Sequence, residues 1–226
     1  MKNLLLLLFA AILCIRAEST YYSQYNQDKW VNENIFKNKI GGIFIDIGAH
    51  NGKSINNTYF FETELGWSGI CIEPMPEIFN QLVSNRSCIC IEGGIAEKEE
   101  LKDFLRIQGY NEMLSGFLDK YDPRHMDRVR ADVKKFGGSF KKIKVQTYNL
   151  NNILEQNNIF SIDFLSLDTE GGEYEILQSI DFDFFNIHVI SVENNYHENN
   201  IFDLLSSKGY QRVSFLGCDE IYVKNM

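Results

Sequence analysis

Short apolar runs recur along this chain, and most of them close on an acidic residue. Ile43-Phe44-Ile45-Asp46, Ile70-Cys71-Ile72-Glu73, Leu165-Ser166-Leu167-Asp168 and Val189-Ile190-Ser191-Val192-Glu193 share that pattern, and Cys88-Ile89-Cys90-Ile91 before Glu92 is a shorter case. Runs of this length, with few interruptions, read as strands buried on both faces. Between them the apolar residues are spaced for one face of a helix, as with Phe60, Phe61 and Leu65 in 57–65, Ile78, Phe79, Leu82 and Val83 in 77–85, and the segments 150–155, 174–179 and 201–208. Strands alternating with helices predict a parallel sheet with right-handed crossovers. Ahead of the first strand, 21–38 reads as a helix over the sheet, entered through a polar loop and cap at 23–28. Behind the last, 211–215 and 220–223 read as a closing antiparallel hairpin around Gly217. Residues 97–142 are charge-rich and less regular, the kind of insertion in which substrate-covering elements sit, with a short strand expected at 145–148.

The first strand runs into Gly48-Ala49-His50-Asn51-Gly52, a turn that lets a ligand approach bare backbone. A helix opening at 54–57 would aim free N–H groups at that ligand, and Asp46 would face the same crevice. Dinucleotide sites use G-x-G-x-x-G; here an acid stands two positions before Gly48, giving D-x-G-x-x-x-G. A carboxylate there suits an ammonium or hydroxyl groups and repels a pyrophosphate, which weakens a nicotinamide oxidoreductase reading. Glu73 follows Gly52 by 21 positions, near the spacing at which an acid grips ribose hydroxyls. The loop containing Ile95 and Ala96 leaves the third strand where an adenine could lie. Asp168, Glu170 and Glu173 gather three acids in a short span at the same sheet edge, which is costly without a task.

Composition narrows the partners. A chain of 226 residues with 44% hydrophobic and 23% charged residues is globular, of a size for one α/β domain. A net charge of −9 argues against nucleic acid as the main substrate, because phosphate contacts dominate that affinity. The basic run from Arg124 to Lys144 reads as a solvated face. Residues 1–17 carry Lys2, an apolar stretch and Arg16-Ala17, the pattern of a signal peptide, too short to span a bilayer comfortably. Entry to the secretory pathway or membrane association through this leader is expected, with a cytoplasmic location as the alternative, and 18–226 as the domain. Cys71, Cys88 and Cys90 lie in strand-like stretches and read as buried thiols; the C-x-C pair points to one face, and nothing completes a zinc set. Asn56-Asn57-Thr58 is a glycosylation sequon beside the proposed ligand loop.

Together Ile45 to Gly52, Gly66 to Pro74, Phe164 to Gly171 and Ser191 to Asn194 resemble the FkbM family of S-adenosylmethionine-dependent methyltransferases, over roughly residues 22–223. The resemblance implies an α/β class I methyltransferase fold, Rossmann-like, with a mostly parallel seven-stranded sheet, one antiparallel strand and helices on both faces. It implies methylation of a hydroxyl, often on a sugar or a small metabolite. Carried onto this chain, Asp46 with the backbone of Gly48, Ala49, His50 and Gly52 would hold the methionine moiety. Glu73, with Pro74 beside it, would take the ribose hydroxyls, and Ile95 with Ala96 would border the adenine. Methyl transfer to oxygen needs an aligned acceptor and a proton acceptor. Asp168 is the first choice for the latter, then Glu170 and Glu193, with His50 as a neutral-pH alternative. The three carboxylates could also hold a divalent cation, but no metal is assigned. A catalytically inactive secreted or membrane-associated interaction protein on the same fold is the alternative function.

Overall fold

The structure, a computed structural model, describes residues 20–225, so the expected leader and Cys14 lie outside the described residues. In chain order, α1 (Gln27–Val31, continued by a π turn at Asn32–Phe36) precedes β1 (Ile43–Ile47), α2 (Tyr59–Leu65), β2 (Ser68–Glu73), α3 (Pro76–Asn85) and β3 (Ile89–Glu92). The next unit is β4 (Gly94–Ile95), β5 (Leu101–Gln108), β6 (Gly116–Phe117), α4 (Pro123–Phe136) and β7 (Ser139–Tyr148). The chain closes with α5 (Leu150–Gln156), β8 (Ser161–Leu167), α6 (Glu173–Ser179), β9 (Asn186–Glu193), α7 (Asn199–Ser207), β10 (Tyr210–Leu216) and β11 (Asp219–Lys224).

The apolar runs form one seven-stranded sheet in the order β10-β11-β9-β8-β1-β2-β3. β3, β2, β1, β8 and β9 are parallel, and β11 alone runs against both of its neighbours. Alternation along β1 sends Ile45 and Ile47 to one face, where they pack with Ile72, Leu165 and Ile190. Phe44 goes to the other, against Phe60, Phe61 and Trp67. All of these side chains are buried, and each contributes about 1.5–3 kcal/mol by leaving water. The parallel order puts the carboxyl ends of β1, β2, β8 and β9 side by side, which is where their acids end up.

Three expectations need correction. The helix expected over 21–38 is confined to Gln27–Phe36, because Asn26 takes a left-handed conformation before it and Lys37 and Asn38 do so after it. The helix after the glycine turn begins at Tyr59, not near residue 54, since Asn56 Oδ1 accepts the backbone N–H groups of Thr58 and Tyr59 and holds 48–58 as a loop. The loose region 97–142 is ordered: β5 pairs antiparallel along its whole length with Ser139–Gln146 of β7, so the strand expected at 145–148 starts at Ser139. With β4 and β6 these form a second, four-stranded sheet, and α4 carries the basic run from Arg124 to Lys135 on its mostly exposed surface. Cross-strand pairs Lys142 and Lys144 with Asp103 explain part of its charge richness.

A buried guanidinium at the end of α3 ties that helix to the loop and helix that follow β1. Arg86, its side chain closed to solvent, pairs with Glu62 of α2 and donates to Gly52 O (3.0 Å), Asn56 Oδ1 (3.1 Å) and Thr58 Oγ1 (3.0 Å). Removing it leaves two carboxylates, Glu62 and Asp46, without their cation. Arg86→Leu is expected to lower stability by about 3–5 kcal/mol, measured as a shift of the urea midpoint at unchanged slope.

Candidate active site

The turn after β1 is fixed by the strand beside it. Asp168 N donates to Ile47 O (3.0 Å), and a Cβ placed on Gly48 would lie 1.7 Å from the Asp168 carbonyl oxygen. Only glycine, here at φ 84, lets the backbones of β1 and β8 meet so closely. Gly48 and Ala49 both donate to Ile72 O, which locks the turn to β2 as well. The next residue, His50, is held at φ 50 and donates its backbone N–H to Glu73 Oε2 (3.0 Å). Glu73 Oε1 accepts from Met75 N (2.9 Å). Burial pushes the Glu73 carboxyl up to about 7 against these two hydrogen bonds.

These ends frame a cavity of about 940 Å³. Gly48, His50, Glu73, Pro74, Ile95, Ala96, Asp168 and Glu170 all lie on its wall. Phe104 and Phe117, ring centroids 5.2 Å apart and edge to face, close the side formed by the small sheet. Four residues expected at the site are not on this wall: Glu193, which lines a second cavity described below, and Asp46, Ala49 and Gly52. Asp46 turns to the opposite face of the sheet, where its carboxylate accepts from Asn56 Nδ2 (2.8 Å) and Thr58 Oγ1 (2.6 Å), 4.0 Å from Arg86. Strand alternation is the reason: Ile45 and Ile47 point one way, so Asp46 points the other. It braces the ligand loop from behind. Ala49 packs into the core on that same face, and Gly52 lies under Leu82 and Arg86. Asn56 of the sequon is buried in this network, so the folded chain offers no glycosylation site there.

The carboxylates of Asp168, Glu170 and Glu193 meet, with oxygens within 4.8 Å of one another. Burial, then the nearby Asp219 and Glu173 carboxylates, pushes Asp168 up to about 8. Glu170 and Glu193 are raised well above the carboxylate range by burial and then by the Asp168 carboxylate, with Glu173 adding to both and Glu170 to Glu193. Glu173 differs: it accepts from Thr169 N (2.7 Å), Thr169 Oγ1 (2.8 Å) and Gly171 N, so it shapes the turn before α6. Glu170 sits at φ 60, a strained value for this residue, which aims it between the cavity and a second one of about 240 Å³. Tyr121, Tyr174, Glu193, Asn194 and Tyr196 line that second space.

His125 was missed from the sequence, although it falls in 97–142, the region expected to cover the substrate. It is buried on α4, stacked on Tyr121 at 4.7 Å, with Nε2 3.2 Å from Leu114 O and Nδ1 3.4 Å from Glu170 Oε2. Burial lowers its basicity, as it does for His50, whose Nε2 lies 3.5 Å from Glu112 Oε1.

The donor set fits S-adenosylmethionine. An acid at the end of β2 suits hydroxyls, an apolar side with Ile95, Phe104 and Phe117 suits an aromatic base, and a wall rich in carboxylates suits a sulfonium cation. A strand order with one reversed strand next to the edge, and a cavity at the carboxyl ends, define a class I methyltransferase of Rossmann-like fold. More closely, the methyltransferase FkbM domain matches residues 46–212, and the chain belongs to that family, whose cofactor is S-adenosylmethionine. Methyltransferase FkbM from Methylobacillus flagellatus superimposes with a TM-score of 0.52 at 10% identity, over 89% of this chain and 48% of that one. The present chain thus spans about half the length of that protein. A TehB-like S-adenosylmethionine-dependent methyltransferase from Corynebacterium glutamicum gives 0.44 at 9% identity, covering 89% and 88%. The N-terminal domain of human METTL16 gives 0.46 at 13%, covering 87% and 67%. No curated protein matches the sequence.

The raised acids set the sign of a pH effect. Their folded pKa values exceed the unfolded ones of 3.8 for Asp and 4.5 for Glu, so the native state holds extra protons. The stability this contributes is complete below the unfolded values and lost as pH rises through about 7 for Glu73 and about 8 for Asp168. The thermal midpoint is expected to fall between about pH 5 and 9, and to fall less in Asp168→Asn.

Proposed function

We propose that this protein transfers the methyl group of S-adenosylmethionine to a hydroxyl of a sugar, glycan or small metabolite. The observation that supports this most is the place of Glu170, on the wall of both cavities, beside Asp168 on the larger and Glu193 on the smaller. Two spaces meeting at a set of proton acceptors suit a cofactor on one side and an acceptor on the other. The cofactor, when bound, supplies a methyl group already activated on a positively charged sulfur. Glu73 would take the ribose hydroxyls, Pro74, Ile95 and Ala96 would border the adenine, and the backbone at Gly48 and His50 would pass beside the methionine moiety. Asp168 would accept the hydroxyl proton, with Glu170 and Glu193 orienting the acceptor. The tyrosines and asparagines of the smaller space suit a polyhydroxylated molecule, since rings stack on its apolar faces and amides pair with its hydroxyls. The leader pattern in the sequence supports a secretory or membrane-associated location.

Cofactor binding and chemistry separate experimentally. S-adenosylmethionine at about 100 times its dissociation constant should stabilise the chain by about 2.7 kcal/mol, and Glu73→Ala should lose the thermal shift. Asp168→Asn should keep that shift while transfer of labelled methyl to a panel of glycans and hydroxylated metabolites drops by about 10²–10⁴-fold. With Asp168 as base, kcat/KM should rise with pH as its carboxyl ionises, and Asp168→Asn should flatten that limb. Binding without transfer to any acceptor would overturn the catalytic reading in favour of an interaction protein.

A further inference from the structure

Three thiols share one face at the β2–β3 edge of the main sheet. Cys71 lies inside β2, in register with Cys90 on β3, and Cys88 stands just before β3 on the same face as Cys90. Edge strand β3 leaves Cys88 half-buried, whereas Cys71 is closed to solvent. The Sγ atoms of Cys71 and Cys88 are 3.5 Å apart, while Cys90 Sγ contacts the Cys88 carbonyl at 3.6 Å. Glu62 Oε1 accepts the backbone N–H of Ser87 and of Cys88 and so fixes where this segment enters the strand. Arg86, held by the other Glu62 oxygen, is the cation next to it.

We propose that Cys71 and Cys88 are a built disulfide site, closed by thiol–disulfide exchange with a low-molecular-weight disulfide such as oxidised glutathione. The two thiols play unequal parts. Contact with the Cys71 thiol lowers the Cys88 pKa, and Arg86 adds to this, so Cys88 is both the more exposed and the more readily ionised. Burial raises Cys71, and it pushes Cys90 up to about 12. Cys88 thiolate attacks one sulfur of the reagent, forming a mixed disulfide and releasing one reagent thiolate. Cys71 then attacks Cys88 Sγ, the second reagent thiolate leaves, and the Cys71 proton goes with it. Two protein thiols have lost two electrons and two protons, and the reagent has become two thiols. The two sulfurs, 3.5 Å apart, have to approach to about 2.05 Å for the bond to close. The bond would enclose the segment that carries Glu73, Met75 and α3. An oxidising compartment of the sort a secretory leader points to supplies such reagents.

The test is peptide mapping of the full chain after incubation with oxidised glutathione, alkylation and digestion without reductant. A Cys71–Cys88 linked peptide with Cys90 alkylated is expected, together with a thermal midpoint raised by about 6–12 °C and restored by reductant. Cys90→Ser should form the same link, and Cys71→Ala should stop at a glutathione adduct on Cys88. A wild-type adduct on Cys88 that never resolves, a link through Cys90, no oxidation at all, or a linked chain that melts lower would each overturn the proposal. None of these readouts depends on methyl transfer.

Discussion

Carboxylates close four adjacent parallel strands of this sheet, and a buried carboxylate has to be given partners, given a proton, or left strained. The structure gives partners to two of them and leaves the others to one another. Asp46, at the end of β1, receives a hydroxyl, an amide and a nearby guanidinium and becomes a brace for the loop in front of it. Glu73, at the end of β2, receives two backbone N–H groups and keeps lone pairs directed at the cavity wall. Asp168, Glu170 and Glu193 receive mainly one another. That last arrangement is the least favourable electrostatically, and it is the one placed where two cavities meet.

The inserted small sheet and α4 complete the site from above. Phe104 and Phe117 bring an apolar surface to the larger cavity, and His125 with Tyr121 reaches Glu170 from the far side. Neither contribution belongs to the main sheet, whereas Tyr174, Glu193 and Asn194 of the main unit line the smaller cavity. The half of the site formed by β1 and β2 is tied down by backbone hydrogen bonds, whereas the half facing the insertion is built from side chains.

Arg86 links the ligand loop to the thiol-bearing edge. It holds Gly52, Asn56 and Thr58 on one side and, through Glu62, the start of β3 on the other. Any change in the geometry of that edge is therefore felt behind Asp46, although the cavity itself lies across the sheet.

The strands, their parallel sense and the closing hairpin were legible in the sequence, because short apolar runs alternate with segments spaced for one helix face and the last two strands flank Gly217. The sequence also marked the acids at the strand ends and the glycine turn, since Gly48 can be nothing else beneath the Asp168 carbonyl. Tertiary structure decided which acids share a cavity. The face of Asp46 follows from the two-residue period of β1, but which face carries the cavity depends on how the insertion folds over. The pairing of β5 with β7 spans a helix and some thirty residues, and no local pattern encodes it. His125 came to Glu170, and Cys88 to Cys71, by the same kind of long-range packing, which is set by the whole core and not by any neighbour in sequence.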